Sequence, residues 1–470
     1  MCNMYSWFGI DFGTTNSAAV SLTGTDSNTV ESIHYGDSKG RPMPSVVAID
    51  KSTGEVIVGR DAKDKRNSLI QTHEYFTSIK MRFSSDTENI TTKIFENLKK
   101  RIERDENNQI NEAVVAVPVG FSRKKKEYLR NAAKEAGIDV KMFISEPTAA
   151  FYSNYKQLKG CSNVAVFDWG GGTLDVVILE IKNGFVNELA SEGLDIAGDH
   201  IDESLARRIH SDFMRTKQFP VSFEDLDGIT KDRLLMECER AKCELENEDI
   251  VSINIFKYGN FGSLNESIDY KFFSLLIEKD IDNAINCLER AIKESGKSHT
   301  EINRILCVGG SSKLRPIQDR LFEKYGEDTV YCPKGVMWAI AEGAAFISTR
   351  QGNHSLHKPI GVILSDNTFL PIFPQGHPLP CEEKELYFGV VDNAKIANII
   401  ITDSENENER EFAKHLTLPI CGYFDEAITL KCFIDEDFIF RMIIQSSKMP
   451  KDIGIDWTYD KLKISYRLDA

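Results

Sequence analysis

The sequence has 470 residues, more than a single hydrophobic core normally supports, so two or more domains are expected. The formal net charge of −15 argues against a broad basic surface for nucleic acid or for an anionic membrane. The ten cysteines are scattered without a CxxC pair, which predicts reduced thiols in a cytoplasmic protein and neither a zinc site nor a disulfide framework. We expect no export signal and no membrane span, because no apolar run approaches about eighteen residues.

The chain opens with a predicted hairpin that has a polar tip. Apolar strands over Trp7–Asp11 and Ala18–Leu22 flank a turn that contains Gly13, Thr14 and Thr15. Small residues let backbone N–H groups come close to a phosphate, and the threonine hydroxyls add further donors. Alone, this pattern is weak, because an aspartate before a glycine turn is usually just a turn residue.

The same pattern returns far downstream. Strands over Val164–Asp168 and Leu174–Glu180 flank Gly170, Gly171 and Gly172, which are followed directly by Thr173. Three consecutive glycines weaken a chain unless something must come very near the backbone. Together the two hairpins predict a phosphate clamp, with one copy in each half of a duplicated domain.

Strands and helices alternate through the rest of the first three quarters. Strands are predicted over Ala113–Val117 and Ile305–Val308, and helices over Ser122–Gly137, Asp232–Glu246 and Pro316–Gly326. This alternation predicts an α/β fold.

After Gln351 the pattern changes to short alternating segments separated by proline and glycine, which predicts a separate β-rich domain. The acidic stretch Asp403–Glu411 is interpreted as a solvated hairpin loop. The predicted strands are Lys395–Thr402, Ala427–Ile434, Phe438–Gln445 and Lys461–Leu468.

Two further features complete a nucleotide site. Asp11 and Asp168, facing each other across a triphosphate, would repel without a cation between them, so we expect Mg²⁺ held largely through water. Gly309 and Gly310 follow a strand, and their lack of side chains would let adenosine lie against the backbone. A bare glycine pair is common, so it carries weight only in order with the two hairpins.

With these motifs in order, the chain resembles the seventy-kilodalton heat-shock (DnaK-type) chaperone family from Gly9 to about Phe346. The resemblance implies an actin-like, ribonuclease H-like duplicated ATPase domain of α/β class followed by a C-terminal β-sandwich. Glu146–Ala150 and Glu239–Lys242 favour the chaperone branch over actin and the sugar kinases. The matching segments are GIDFGTTNS, ISEPTAAFY, VFDWGGGTLDV, CERAKCEL and ILCVGGSSKLRPIQ.

The resemblance also implies roles for individual residues toward ATP or ADP and Mg²⁺. Asp11 and Asp168 would organise the waters around Mg²⁺. The catalytic set would be Lys80, Glu146, Thr173 and Asp175, with Lys80 stabilising charge on the γ-phosphate. The nucleotide would be bound by Gly13, Thr14, Thr15, Gly170, Gly171, Gly172, Glu239, Lys242, Gly309, Gly310, Ser311 and Lys313.

Several positions depart from the family pattern. Cys243 and Lys313 stand where the family has arginines that stack on adenine, so weaker nucleotide binding is expected. The predicted domains are residues 1–351 for the ATPase domain, 352–364 for an altered linker and 365–470 for a β-rich domain resembling a reduced substrate-binding domain. No helical lid follows that domain in this sequence, so fast, weak peptide binding is expected.

The favoured function is ATP-gated binding of unfolded or extended polypeptide, with co-chaperones or a nucleotide exchange factor as possible partners and with neither nucleic acid nor membrane. An alternative is a nucleotide-dependent regulatory or scaffold protein that binds a dedicated partner through the tail. A small-molecule phosphotransferase is less favoured, because the chaperone-type segments are present and a sugar-binding signature is not evident. Suppression of aggregation of unrelated denatured proteins would distinguish the first two.

Overall fold

A computed structural model of the chain describes residues 5–24, 30–37, 40–104, 109–215, 217–218, 220–333, 335–349, 354–404, 406, 410 and 412–468. It divides into two units, which are described separately below. The first comprises residues up to Leu179 together with Ala190–Thr349, and the second comprises Glu180–Leu189 together with the residues from 350 onward.

Strands and helices alternate in the first unit, and strands dominate the second. The strands are β1 (Tyr5–Phe12), β2 (Asn16–Gly24), β3 (Val30–Tyr35), β4 (Met43–Pro44), β5 (Val47–Asp50), β6 (Val56–Val58), β7 (His73–Phe76), β8 (Glu112–Val117), β9 (Asp139–Ser145), β10 (Asn163–Trp169), β11 (Leu174–Lys182), β12 (Phe185–Leu194), β13 (Ile250–Ile255), β14 (Leu264–Asp269), β15 (Arg304–Val308), β16 (Val330–Tyr331), β17 (His354–Leu356), β18 (Ile360–Ile363), β19 (Phe369–Phe373), β20 (Pro378–Leu379), β21 (Cys381–Gly389), β22 (Ile396–Thr402), β23 (Ala413–Pro419), β24 (Ala427–Ile434), β25 (Phe440–Ser446), β26 (Ile455–Tyr459) and β27 (Ile464–Arg467). The α-helices are α1 (Arg60–Asp64), α2 (Arg66–Leu69), α3 (Ser85–Ile102), α4 (Arg123–Glu135), α5 (Glu146–Ser153), α6 (Gly198–Met214), α7 (Gly228–Glu244), α8 (Tyr270–Leu276), α9 (Glu278–Glu294), α10 (Arg315–Tyr325) and α11 (Ala339–Ser348).

The first unit is built on two sheets with the same strand order. In one sheet the order is β3-β2-β1-β8-β9, and in the other β12-β11-β10-β15-β16 follows the same sequence of connections. In the first sheet β1 pairs antiparallel with β2 and parallel with β8. In the second, β10 lies parallel to β15. This repeat confirms the predicted α/β duplication and puts an Asp–Gly hairpin at the equivalent place in each half.

Local signals explain where the helices between these strands begin. The Ser122 hydroxyl accepts a hydrogen bond from the backbone N–H of Lys125 at the start of α4. The Asp227 carboxylate accepts two backbone N–H groups at the start of α7. Such side chains satisfy donors that a helix N-terminus leaves unpaired. The predicted helices over Ser122–Gly137 and Asp232–Glu246 are therefore found, with α7 beginning earlier.

Each half has its own apolar core. One cluster, beneath the first sheet, includes Phe12, Phe95 and Val115, all fully buried. The other packs against the second sheet and includes Trp169, Leu205 and Leu288, which are also fully buried. The central strand β10 is buried at every position, as is typical of a sheet covered on both faces. These cores hold the two hairpins on rigid supports.

The second unit is a β-sandwich. Its two antiparallel sheets have the orders β19-β18-β22-β23 and β21-β24-β25-β26. Buried residues alternate along β24 and β25, which is the pattern of strands with one covered face. The rings of Phe373 in one sheet and Phe440 in the other lie 6.2 Å apart between centroids. The β-rich tail predicted from the sequence is therefore confirmed.

The segment 352–364, expected to be an interdomain linker, differs from that expectation. His354–Leu356 forms β17, which pairs with β27, and Ile360–Ile363 forms β18, which pairs with β19 and β22. Paired backbone of this kind is part of a sheet, so these residues form strands and not a free connection. The second unit also includes Glu180–Leu189, where Phe185–Asn187 pairs with β27. The acidic stretch Asp403–Glu411 lies mainly outside the described residues.

The sequence predicted reduced thiols and no membrane span. Every cysteine in the described ranges carries a free thiol. Across the helices that the structure describes, none combines the length and the apolar character needed to cross a membrane.

The contact between α5 and α11 depends on a missing side chain. A Cβ added at Gly343 would lie 1.7 Å from the carbonyl oxygen of Ala149, so Gly343→Ala should destabilise the first unit by about 1–3 kcal/mol or more. Gly228→Ala is the matched control, because no atom lies within 4 Å of its added Cβ and alanine favours helix. Chemical denaturation of both variants measures the difference. Equal midpoints for the two would contradict this close packing.

Candidate functional site

The tips of the two hairpins face each other. A Cβ added at Gly171 would lie 2.0 Å from the Thr15 hydroxyl oxygen, and one added at Gly172 would lie 2.4 Å from that of Thr14. At Gly13 the added atom would lie 2.1 Å from the carbonyl oxygen of Asn16. The predicted juxtaposition of the two glycine turns is therefore present, and no larger residue fits at these positions.

The backbone carbonyl groups of Gly170 and Gly171, in the second glycine turn, accept hydrogen bonds from neighbouring segments. The Gly170 carbonyl accepts the Ser311 hydroxyl at 2.7 Å and the Gly198 N–H at 3.2 Å, and the Asp199 N–H donates to the Gly171 carbonyl at 2.7 Å. Gly198 and Asp199 begin α6, whose N-terminus is the positive end of the helix dipole. Among the described residues, the backbone N–H groups of Gly171 and Gly172 donate no hydrogen bond. These donors are left for an anionic ligand.

Lys80 lies in a short 3-10 helix over Ile79–Arg82 and is buried, at 5% exposure. Its ammonium makes a short ion pair with Glu146, the first residue of α5. Asp11 and Asp175 also attract it electrostatically. The predicted lysine is therefore brought together with the predicted carboxylates, rather than lying on the surface.

The acidic groups around the Lys80 ammonium outnumber this one cation. Burial, followed by repulsion from Glu146, raises the pKa of Asp11 and that of Asp175 to about 7. The same two causes raise the pKa of Asp168 well above its ordinary value. Four acidic groups therefore share one lysine in a poorly solvated space. Additional positive charge would stabilise their ionised forms.

Several polar atoms in this space have no hydrogen-bond partner within the described residues. They are Oδ2 of Asp168, Oδ2 of Asp175 and Oγ1 of Thr15, all inaccessible to solvent. Buried polar groups normally have partners, so these atoms are available to a ligand, an ion or water. The donor set fits a hydrated Mg²⁺ beside Asp11 and Asp168, since oxygen ligands and retained waters suit that ion. It also fits a phosphate chain at the threonines.

The glycine pair lies directly beside the second hairpin. Gly309 has a φ of +80°, and its added Cβ would lie 2.6 Å from Oδ1 of Asp168. Gly310 faces open space instead, with no atom within 4 Å of an added Cβ. Gly309 is therefore needed for packing against the acidic cluster, whereas Gly310 leaves room beside it.

The predicted adenosine-side residues of α7 are engaged within the protein. The buried Lys242 ammonium donates to Asp202 at 2.7 Å and to the Gly198 carbonyl at 3.0 Å. Glu239 accepts from Lys63 at 2.8 Å. Sequence reasoning assigned no role to Lys63 or Asp202, because single charged residues on separate helices carry no local signal of pairing.

The remaining predicted positions differ in their surroundings. Lys313 ends the short helix that starts at Ser311 and lowers the pKa of Glu246, in opposition to the larger effect of burial. Cys243 is exposed. Burial raises the pKa of Asp175, and the Thr173 side chain opposes this rise. The Ser78 hydroxyl donates a hydrogen bond to the Asp199 carboxylate at 2.6 Å, a contact that the sequence did not indicate.

A duplicated α/β unit with opposed glycine hairpins and a buried lysine–carboxylate cluster defines a nucleotide-binding domain of the actin-like ATPase class. A family model described as Hsp70 protein matches residues 70–407. The chain is 27% identical over 429 residues to the chaperone protein DnaK of Mycoplasmopsis synoviae (strain 53), an alignment that covers 85% of this chain and 69% of that relative. The chain belongs to the Hsp70 family.

This membership confirms the resemblance seen in the motifs and the actin-like fold that it implied. Members of the family are ATPases that bind ATP or ADP with Mg²⁺, so a chaperone-type nucleotide-binding function is supported for this chain. The family match includes Lys80, the second hairpin and Gly309, and it begins after the first hairpin.

The raised pKa of Asp11 predicts a pH-dependent stability. Its folded-state pKa of about 7 exceeds the ordinary value of 3.8, so the folded chain binds more protons and loses stability as the pH rises from about 4 to 7. Asp11→Asn removes this penalty. Without nucleotide it should raise Tm more at pH 8 than at pH 5, by roughly 2–4 °C per kcal/mol recovered.

Differential scanning calorimetry at the two pH values measures this effect, and the same scans with Mg-ADP are the control. We expect the advantage of the variant to shrink when Mg-ADP is present, because the wild-type carboxylate then gains a cation. An identical gain at both pH values would show that the Asp11 charge is not the cause.

Proposed function

We propose that the first unit binds Mg-ATP between its two glycine hairpins and hydrolyses it, and that this cycle gates binding of extended polypeptide by the second unit. The observation that carries the proposal is the buried Lys80–Glu146 pair beside Asp11, Asp168 and Asp175. A lysine is costly to bury, and a surplus of carboxylates around it suits a site that receives further cationic charge together with phosphates.

Each group has a defined task in this proposal. Thr14, Thr15 and the N–H groups of the second hairpin bind phosphate oxygens. Asp11 and Asp168 would hold Mg²⁺, which would neutralise charge at the phosphates when bound. Lys80 stabilises the charge that develops on the γ-phosphate in the transition state.

Asp175 and Glu146 position the attacking water. One oxygen of Asp175 accepts the backbone N–H of Val119 at 2.8 Å, while its other oxygen has no partner among the described groups. The carboxylate is therefore oriented by the backbone and keeps one acceptor for a water molecule. Correct orientation of this water contributes more than basicity in phosphoryl transfer.

The second unit offers an apolar surface for polypeptide. Val391, Tyr423 and Phe424 are 76%, 58% and 87% exposed, and they lie on two neighbouring loops. The loops are joined by the hydrogen bond from the Asn393 N–H to the Gly422 carbonyl at 2.8 Å. Exposed apolar groups clustered in this way mark interaction surfaces. We therefore assign extended apolar segments of polypeptide to these loops.

The alternative is a nucleotide-dependent regulatory or scaffold protein with a dedicated partner. The observation in its favour is that 354–356 and 360–363 are paired within sheets instead of forming a free linker. A dedicated protein would not suppress aggregation of unrelated denatured proteins, whereas a chaperone would. On the chaperone proposal, co-chaperones or an exchange factor are expected partners, and free thiols suit a reducing cytoplasm.

Lys80→Ala should lower ATP turnover by roughly 10² to 10³ while nucleotide binding persists, because one preorganised charge is lost from the transition state. Lys93→Ala is the matched control, since Lys93 pairs with Glu96 on α3 and is assigned no role in the site. Single-turnover hydrolysis and calorimetric binding of Mg-ADP separate the two effects. Turnover unchanged in Lys80→Ala would refute the assignment.

Replacing Tyr423 and Phe424 together by serine should weaken binding of unfolded peptides and leave basal ATP turnover unchanged. Phe256→Ser is the control, because Phe256 is 73% exposed and belongs to the first unit. Fluorescence anisotropy with labelled apolar peptides measures the affinity. Peptide affinity that is the same in the double variant and in the control would exclude these loops as the binding surface.

A further inference from the structure

Two cysteines lie side by side next to the glycine pair. In the parallel pairing of β15 with β16, Leu306 is opposite Tyr331. The next residues after these two partners are Cys307 and Cys332. Matched residues on parallel strands project from the same face, and neighbouring strands are about 4.8 Å apart. This spacing falls inside the range of roughly 4.4–6.8 Å between Cα atoms that a disulfide requires.

The two thiols already interact, and they differ in access. Cys307 is 1% exposed within the core, whereas Cys332 is partly exposed at its edge. The Cys307 thiol donates to the Ile305 carbonyl at 4.0 Å, and the interaction of the two thiols raises the pKa of Cys307 and lowers that of Cys332. The accessible sulfur is therefore the one of the pair that ionises more readily, and the thiolate is the form that reacts with oxidants.

We propose that Cys307 and Cys332 form an oxidation site, in which a hydroperoxide oxidises Cys332 and Cys307 then closes a reversible disulfide. In the first step the Cys332 thiolate attacks the peroxide, the O–O bond breaks, and sulfenic acid and an alcohol (or water) form after protonation. In the second step the Cys307 sulfur attacks the sulfenic sulfur, and water leaves with the Cys307 proton. The two thiols lose two electrons in total, which reduce the peroxide.

Other cysteines of the first unit lack this arrangement. Cys238 and Cys287 are fully buried, and burial raises the pKa of each. For Cys161 and Cys243 the described residues provide no neighbouring thiol. The pair is therefore distinguished by matched positions on adjacent strands and by the partial access of one thiol.

The position of the pair connects it to the nucleotide site. Cys307 is in register with Phe167 and Val308 with Asp168 on β10, and β15 then enters Gly309. Because Gly309 packs against Trp169 and Asp168 without room for a Cβ, a shift at the end of β15 reaches the acidic cluster. Oxidation should therefore lower nucleotide affinity. This consequence rests on the proposed function, whereas the disulfide itself does not.

The test treats the full chain with hydrogen peroxide under native conditions, blocks free thiols by alkylation and maps peptides by mass spectrometry. We expect a linked Cys307–Cys332 peptide that is lighter by two hydrogen atoms and is lost on reduction. In Cys307→Ser, Cys332 should stop at sulfenic acid that dimedone traps. Cys287→Ser, a buried cysteine of the same unit, is the control and should retain the linked peptide.

Recovery of both cysteines in alkylated, unlinked form from the wild type would overturn the oxidation site. If Cys307→Ser does not fold, Cys332→Ser gives the same decision through loss of the linkage. Calorimetric titration of the oxidised and reduced wild type with Mg-ADP tests the coupling, for which we expect a loss of affinity on oxidation. A linked peptide with unchanged ADP affinity would refute the coupling and leave the proposed nucleotide function intact.

Discussion

The constraint on which the first unit depends is a buried site where carboxylates outnumber cations and water does not solvate the excess negative charge. Asp11, Glu146, Asp168 and Asp175 share the buried ammonium of Lys80, and burial, followed by repulsion from Glu146, raises the pKa values of the three aspartates. Such a cluster is unfavourable in an isolated protein. It persists because rigid strands and helices on both sides determine the positions of these groups, and a divalent cation bound together with phosphates would stabilise it.

The duplicated sheets explain how this cluster is assembled. Each half has an aspartate as the second-last residue of its central strand and then turns through glycine, so equivalent strand ends bring Asp11 and Asp168 to one place. Contacts across the site then depend on the absence of side chains at Gly171, Gly172 and Gly309. The family to which the chain belongs is thus recognisable in the physical requirements of its site as well as in its motifs.

The second unit combines strands that are distant along the chain. Phe185–Asn187 pairs with β27 near the end of the sequence, and the Ser465 hydroxyl donates to Asn187 at 2.6 Å. His354–Leu356, the first described residues after 353, already pair with β27. Its exposed apolar loops and its paired first strands favour different functions, which is why aggregation suppression is the informative assay.

The family resemblance indicated Lys80 and Glu146, and the sequence by itself determined the two glycine turns, the alternation of strands and helices, and the β-rich tail. These are local signals, since periodicity, capping and turn chemistry act over a few residues. Only the tertiary structure decided that Glu239 pairs with Lys63, 176 residues away, and Lys242 with Asp202, 40 residues away. It also decided that the expected linker forms strands and that Cys307 meets Cys332, because pairing between distant segments depends on the packing of the whole unit.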